Sequence, residues 1–252
     1  MFKNVASGAL AGLLAVLAAP EAASAQSVDE IVARHIQARG GYEKLKAIQT
    51  IKITRTITTP FTDVKVTIFK KRPALYRVEQ APTGQPMVPR GINHEVAWDI
   101  VQGKAVPRPA HAFAEARDIE ADFDGLLIDW QTKGHTVTLE GKEPMTGGEA
   151  YKLKVTTKGG IVRYVYLDAK TYLDRRQTGV FTIYHPTDRA RDRVFNTVVD
   201  FGGWREVNGV KFPFDIQEER TGKEPVQSLV VYTEKIEVNV PMEDALFAPP
   251  GR

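Results

Sequence analysis

Nucleophiles are scarce in this sequence. It has no cysteine, which removes disulfides, thiolate metal sites, iron–sulfur clusters and cysteine nucleophiles. Beyond residue 25 the serines are Ser27 and Ser228, and neither sits in a Gly-x-Ser-x-Gly elbow. Ser27 reads as a helix cap and Ser228 as a strand residue, so serine hydrolysis is excluded. The five histidines are His35, His94, His111, His135 and His185. No two have metal-ligand spacing and no His-Glu-x-x-His occurs, so surface and turn-capping positions are expected for them. Glu120-Ala121-Asp122-Phe123-Asp124-Gly125 imitates the start of a calcium loop. The frame fails because position one is Glu and position twelve, which needs a bidentate Glu, is Gln131. A solvated helix face ending at Gly125 is the reading. Asp and Glu are plentiful, but nothing singles out a pair for glycoside hydrolysis. Two carboxylates in one cleft with strongly shifted pKa values would be the mark of such a site. Neither a phosphate-cradling loop nor a dinucleotide fingerprint is present. Arg189, Arg191 and Arg193 alternate with Asp188 and Asp192 as a mixed charged loop. No catalytic residue, metal ligand or cofactor is predicted, and an enzyme is not expected.

The elements that could position a site follow from composition and patterning. The chain has 252 residues, 42% hydrophobic and 26% charged, which suits a globular protein that can bury a core. Its 34 basic and 31 acidic residues leave a net charge of +3, without the concentrated excess of a nucleic-acid binder. Lys3, an apolar run from Val5 to Ala19, Pro20 and then Ala23-Ser24-Ala25 before Gln26 form a secretory signal peptide. The run is too short for the ~20 residues that span a bilayer. Residues 1–25 are therefore expected to be cleaved near Ala25. Residues 26–252 would form one domain outside the cytoplasm, without stable membrane insertion. Gln26 stands where a lipoprotein would need Cys.

Ser27-Val28-Asp29-Glu30 forms a capping box, and Gly40-Gly41 stops the helix it starts. Alternation then takes over. Ile51, Ile53 and Ile57 face one way, as do Val64, Val66 and Ile68, with Lys and Thr opposite: half-buried antiparallel strands. Leu75 to Gln80 and Asn93 to Val101 continue the sheet, and Ala81 to Gly91, with three prolines, reads as a loop. Ala110 to Asp124 is expected as one mid-chain helix, after which Leu126, Leu127, Ile128 and Trp130 form an apolar cluster. From His135 onward the chain reads as hairpins, the strongest turn signal being Asn208-Gly209. An outer-membrane barrel would not carry two helices or end on Pro249-Pro250-Gly251-Arg252. About ten or eleven strands with two helices make an α+β protein built on an antiparallel sheet.

Several segments together resemble the LolA-like outer-membrane lipoprotein-sorting proteins. Val28-Asp29-Glu30-Ile31 with Gly40-Gly41-Tyr42-Glu43-Lys44-Leu45-Lys46-Ala47-Ile48 is similar to the family's opening, and Phe123-Asp124-Gly125 with Asp129 to its mid-chain helix exit. Tyr151 to Val155 and Tyr164 to Asp168 resemble its central hairpin. The most specific piece is Trp204-Arg205-Glu206-Val207-Asn208-Gly209-Val210-Lys211-Phe212-Pro213, in which Trp204 replaces the commoner Tyr. Ile236 to Pro241 followed by Asp244 to Phe247 is similar to the family's ending.

The resemblance implies a half-open barrel: one antiparallel sheet with an N-terminal and a mid-chain helix over its concave face. It also implies a non-catalytic periplasmic carrier that takes the acyl chains of lipids or lipoproteins, as in outer-membrane lipoprotein sorting. Alternation and resemblance together put Ile51, Ile53, Val64, Val66, Ile68, Leu153, Val155, Val165, Leu167, Phe212, Phe214 and Ile216 on the ligand-binding lining. Phe113, Ile119, Phe123, Leu126 and Leu127 would form the lid. Burying a 16-carbon chain at ~0.8 kcal/mol per methylene gains roughly 10 kcal/mol before ordering costs. The alternative is an envelope sensor of the same fold, which binds a protein partner through the Ala81–Gly91 and His185–Arg193 loops and carries no cargo.

Overall fold

The computed structural model describes residues 26–185 and 188–251. The expected signal peptide lies outside the described residues. The chain begins with α1 (Val28–Arg39) and α2 (Tyr42–Ala47). Ser27 accepts from the Glu30 amide while the Glu30 carboxylate accepts from the Ser27 amide, so the expected capping box is present. Six strands follow as a continuous meander: β1 (Thr50–Thr58), β2 (Asp63–Lys71), β3 (Leu75–Pro82), β4 (Val88–Ile92), β5 (Ala97–Val101) and β6 (Lys104–Pro107). A short helix, α3 (Ala110–Glu115), runs on into one wide π-helical turn, Ala116–Glu120. The second half contains β7 (Thr136–Met145), β8 (Gly148–Thr156), β9 (Val162–Asp168), β10 (Asp174–Ile183) and β11 (Arg193–Gly202). It continues with β12 (Arg205–Val207), β13 (Val210–Phe212), β14 (Asp215–Thr221) and β15 (Gln227–Val238).

Among the described residues thirteen strands form one antiparallel sheet, in the order β6-β5-β4-β3-β2-β1-β15-β14-β11-β10-β9-β8-β7. The sequence led to ten or eleven. The added strands include β4, inside the expected Ala81–Gly91 loop, and β6, where Pro107 was expected to interrupt the sheet. The expected loop from Ala81 to Gly91 shrinks to five residues between β3 and β4. Pro89 sits in β4 opposite Glu79, where only β3 is paired with it, because β5 joins β4 at Gly91 and Ile92. A proline can occupy a strand whose other side needs no donor.

The sheet is two meanders sewn together where β15 pairs with both β1 and β14. The edges β6 and β7 do not pair with each other, so the sheet stays open. It is nevertheless curled: residues of β3, β4 and β5 line one pocket together with Phe181 to Tyr184, although five strands separate β3 from β10. The chain that links the two edges, residues 108–135, must therefore run across the mouth of the curl. The expected helix over Ala110–Asp124 is α-helical over Ala110–Glu115 and continues only as the π-helical turn to Glu120. It unwinds after Glu120 because Phe123 and Asp124 are claimed by the sheet. The Arg72 guanidinium lies 4.3 Å from the centre of the Phe123 ring and donates to the Asp124 carboxylate.

The expected hairpin at Asn208-Gly209 forms, with both residues at positive φ (49° and 77°), as a two-residue turn of the favoured hand requires. It is not part of the large sheet. It folds against the end of α1, where Arg39 donates to the Lys211 carbonyl and lies 5.8 Å from the rings of Trp204 and Phe212. Gly40 makes this approach possible. A Cβ there would stand 2.1 Å from the Gly209 carbonyl oxygen, at a φ of 127°.

Candidate functional site

Strand parity decides what the concave face carries. Residues opposite one another in an antiparallel pair share a face. The pairs Ile53–Ile68, Ile68–Val78 and Val78–Arg90 carry one face across four strands. The same parity brings Ile51, Arg55, Val66, Lys70, Tyr76 and Ile92 to it. In the other meander, the pairs Leu153–Val165 and Val165–Gln177 place Val155, Arg163, Leu167 and Phe181 inward. The concave face is thus apolar with cations set into it.

The apolar positions do not line one open cavity; they are divided among packed clusters. Leu153, Val155, Val165 and Leu167 are fully buried with Leu126 and Leu127, against Ile31 and Val32 of α1, and Ile119 packs beside them. Val66 is buried in a second cluster with Tyr76, Val78, Ile92, Ala116 and Ala121, flanked by Val64, Ile68 and Phe113. Ile51, Ile53 and Phe214 form a third with Ile236, flanked by Ile68, Phe123 and Phe212. Ile216 is buried on β14 outside these groups. A further cluster joins Leu45, Ile48, Ile128 and Val210, so α2, the cover and the β12–β13 hairpin plug one end of the curl. Each expected lid residue meets expected lining residues, but the lining is split among clusters, with a hollow of about 120 Å³ left beside Leu126, Leu127 and Val165.

The cover, residues 109–130, is held by charge as well as by packing; Arg108 stays with the sheet edge, its amide donating to the Ala97 carbonyl at 2.7 Å. Glu115, 8% exposed, accepts from Arg163 of β9 at 2.9 Å and from the Tyr184 hydroxyl at 2.7 Å. Gly179 of β10 leaves room for this. A Cβ there would stand 2.5 Å from Arg163 Cδ. Asp118 accepts from the Gly159 amide at 2.8 Å. Glu120 accepts from Arg108 at 2.7 Å, and Arg108 also reaches Asp99 of β5 at 3.1 Å. The Lys70 ammonium donates to the Asp122 carbonyl at 2.7 Å, while Lys133 holds the Asp122 carboxylate at 2.6 Å. Asp124 receives both Arg72 and Lys46. The acidic run that imitated a calcium loop is therefore spent on separate cations.

Burial drives the charges here in opposite directions. It pushes the Lys70 ammonium down to about 8 against the pull of Asp122, and the Arg55 guanidinium down to about 10. It raises the Tyr76 phenol, with Arg90 opposing. For Glu120 burial acts upward, but Arg108 and Arg90 outweigh it and hold the carboxyl below its ordinary range. For Asp124 burial is again outweighed, by Arg72 and Lys46. A general acid working near neutrality needs a carboxyl raised by its surroundings. Among the described residues, every carboxyl clearly moved from its ordinary range is moved down.

Of the histidines expected at the surface or capping turns, two are buried, and each bonds the backbone at a turn. His35 Nδ1 donates to the Tyr172 carbonyl at 2.9 Å, with Asp174 3.8 Å from Nε2, and His135 Nδ1 accepts from the Lys158 amide at 3.1 Å. Each joins a helix or cover end to a distant strand turn, a contact no sequence spacing encodes. The half-buried inward cations Arg55, Lys70 and Arg90 were also missed. Their signal was available: Arg55 continues the Ile51–Ile53 parity and Lys70 the Val64–Val66–Ile68 parity.

No protein-family model and no curated protein matches the sequence. Solved structures do. A LolA superfamily protein from Nitrosomonas europaea aligns with a TM-score of 0.59 at 10% identity, over 89% of this chain and 98% of that one. A domain from Vibrio parahaemolyticus, named as an outer membrane lipoprotein-sorting protein, aligns with a TM-score of 0.56 at 10% identity, over 88% and 97%. The chain has the LolA-like fold that its motifs resemble.

Proposed function

We propose that this protein is a non-catalytic holder of acyl chains in the cell envelope, exported by cleavage of residues 1–25. In this reading the structure is the closed form. The lining is Ile51, Ile53, Val64, Val66, Ile68, Leu153, Val155, Val165, Leu167, Phe212, Phe214 and Ile216. The lid is Phe113, Ile119, Phe123, Leu126 and Leu127, and lifting residues 109–130 admits the ligand.

The observation that carries this is the make-up of the cover. A segment meant only to close a core would be a regular helix with an apolar face. This one is six residues of α-helix, a π-turn and irregular chain, fastened by ion pairs to three places on the sheet. Charged groups regain hydration when separated, so such fastenings open at lower cost than an all-apolar seal. The LolA-like fold supports the reading through its curl, which leaves an apolar face for the cover to protect.

Native mass spectrometry on residues 26–252 purified gently from the envelope, followed by solvent extraction, tests it. Co-purifying phospholipid or acylated peptide is the expected result. A clean apo mass with no uptake of added lipid or lipopeptide overturns it.

One observation favours the alternative, an envelope protein-binding module. Phe61 is 95% exposed at the β1–β2 turn and, with Pro60, Pro225, Val226 and Leu229, frames an apolar hollow of about 440 Å³. Chemical cross-linking in envelope extract, lost on Phe61→Ser while lipid uptake is absent, would favour that module.

A further inference from the structure

Where the cover lifts, the cations beneath it lose their partners. Arg108 is paired to Glu120, Arg163 to Glu115, and Arg72 to Asp124, and each of these acids rides on the cover. Lys70 loses the Asp122 carbonyl. With the cover up and the site empty these cations can regain water, but an apolar ligand laid over them shuts water out, and a covered charge without a counter-charge is strongly destabilising. An open form that keeps an apolar ligand must therefore receive negative charge from somewhere, and the ligand is the one new component.

The geometry supplies a place for it. Between β3–β5 and the end of β10 lies a pocket of about 300 Å³, lined by Arg90, Arg108, Asp99 and Glu120, with Phe181 and Tyr184 opposite. Arg90 Nε is buried there without a hydrogen-bond partner. Buried guanidinium nitrogens are nearly always satisfied, so an orphaned one calls for a partner such as an anion. Arg90 also faces Tyr76 and Glu120, and Lys70 and Arg55 stand behind. Glu120 is thus the anion that occupies this cationic nest while the cover is down.

We propose that Glu120 mimics the ligand's own anionic group, and that on opening a phosphate or carboxylate replaces it at Arg90 and Arg108, with the acyl chain beneath the cover. This rests on the acyl-holding reading for the chain and adds the class of the head. A guanidinium fork suits both anions because it donates two parallel hydrogen bonds to a pair of oxygens. A neutral lipid would fill the apolar part but leave Arg90 without a counter-charge and Arg108 with Asp99 alone.

The test uses residues 26–252 and three probes at one ionic strength: lysophosphatidylglycerol, a monoacylglycerol of the same chain length, and inorganic phosphate. Lysophosphatidylglycerol is expected to bind at least about tenfold more tightly than the monoacylglycerol. Arg90→Gln should abolish that preference and leave monoacylglycerol binding unchanged. Glu120→Gln, which removes the internal competitor, should strengthen anionic binding and so serves if Arg90→Gln misfolds. Equal binding of both lipids overturns the anionic head while the acyl-holding reading stands. Phosphate bound alone, lost in Arg90→Gln, supports the anion nest and removes the acyl chain from the reading. No binding of any probe overturns both.

Discussion

Lys70 shows how one residue can record a fold's conflict. It stands on the inward parity of β2, opposite Tyr76, with its ammonium against the cover. Burial pushes it down to about 8, with Asp122 and Glu120 favouring the charge and Arg55 and Lys133 opposing it. An unfolded lysine titrates near 10.4. Between about 8 and 10.4 the unfolded chain binds the extra proton, so this group adds stability as pH rises through that window. Below about 8 both forms are charged and the desolvation penalty is fully present. Replacement by Met removes the titration. The stability of Lys70→Met relative to the parent should therefore fall by roughly 1–3 kcal/mol between pH 7 and pH 10. Denaturant melts at the two pH values check this, and a constant difference would refute it. Arg55 and Lys70 were legible as interruptions of an apolar parity. The burial of His35 and His135 was not, because their partners Tyr172 and Lys158 lie far along the chain.

At the scale of elements, the cover is the part whose sequence and structure diverge most. Its helix starts at the expected Ala110, directly after Pro109, but its end does not follow helical periodicity. The ladder gives way where Phe123 and Asp124 gain more from Arg72 and Lys46 than from another helical turn. Glu115 is the fastening with the deepest pair, joined to both Arg163 and Tyr184. Glu115→Gln keeps the shape and weakens the charge, leaving Arg163 underpaired. Amide exchange over residues 110–124 should quicken about tenfold or more, equivalent to about 1–3 kcal/mol of local opening, while β8 and β9 stay protected. Unchanged exchange in the cover, or equal loosening of β8 and β9, would show that the pair is not a latch.

At the scale of the whole molecule, the last residues reach back across the sheet. The chain after β15 forms a 3-10 turn, Asp244–Phe247, on the convex side of the first meander. Phe247 is fully buried, its carbonyl accepts from the Trp98 indole at 3.1 Å, and the Leu246 carbonyl accepts from Arg77 at 2.9 Å. This strap covers the outer face of β3 and β5, strands close to the free edge. Phe247→Ala should destabilise by about 3–5 kcal/mol, read as a lower denaturant midpoint. It should also red-shift the emission of Trp98, which is 1% exposed. A loss under about 1 kcal/mol would mean that the strap packs weakly.

The sequence alone determined the local elements and the class. Ser27 with Glu30 dictates a helix start, Asn208-Gly209 a tight hairpin, and the alternation of β1 and β2 an antiparallel sheet with one wet face. These follow from backbone geometry and period, which act over a few residues. Tertiary structure alone decided that thirteen strands join into one open sheet, that β15 seams its halves, and that the link between its edges lies across the mouth. It also decided that the expected lining is packed against its own cover, with inward cations facing the cover's acids. Those outcomes depend on which distant side chains exclude water together, and burial energy carries no record of separation along the chain.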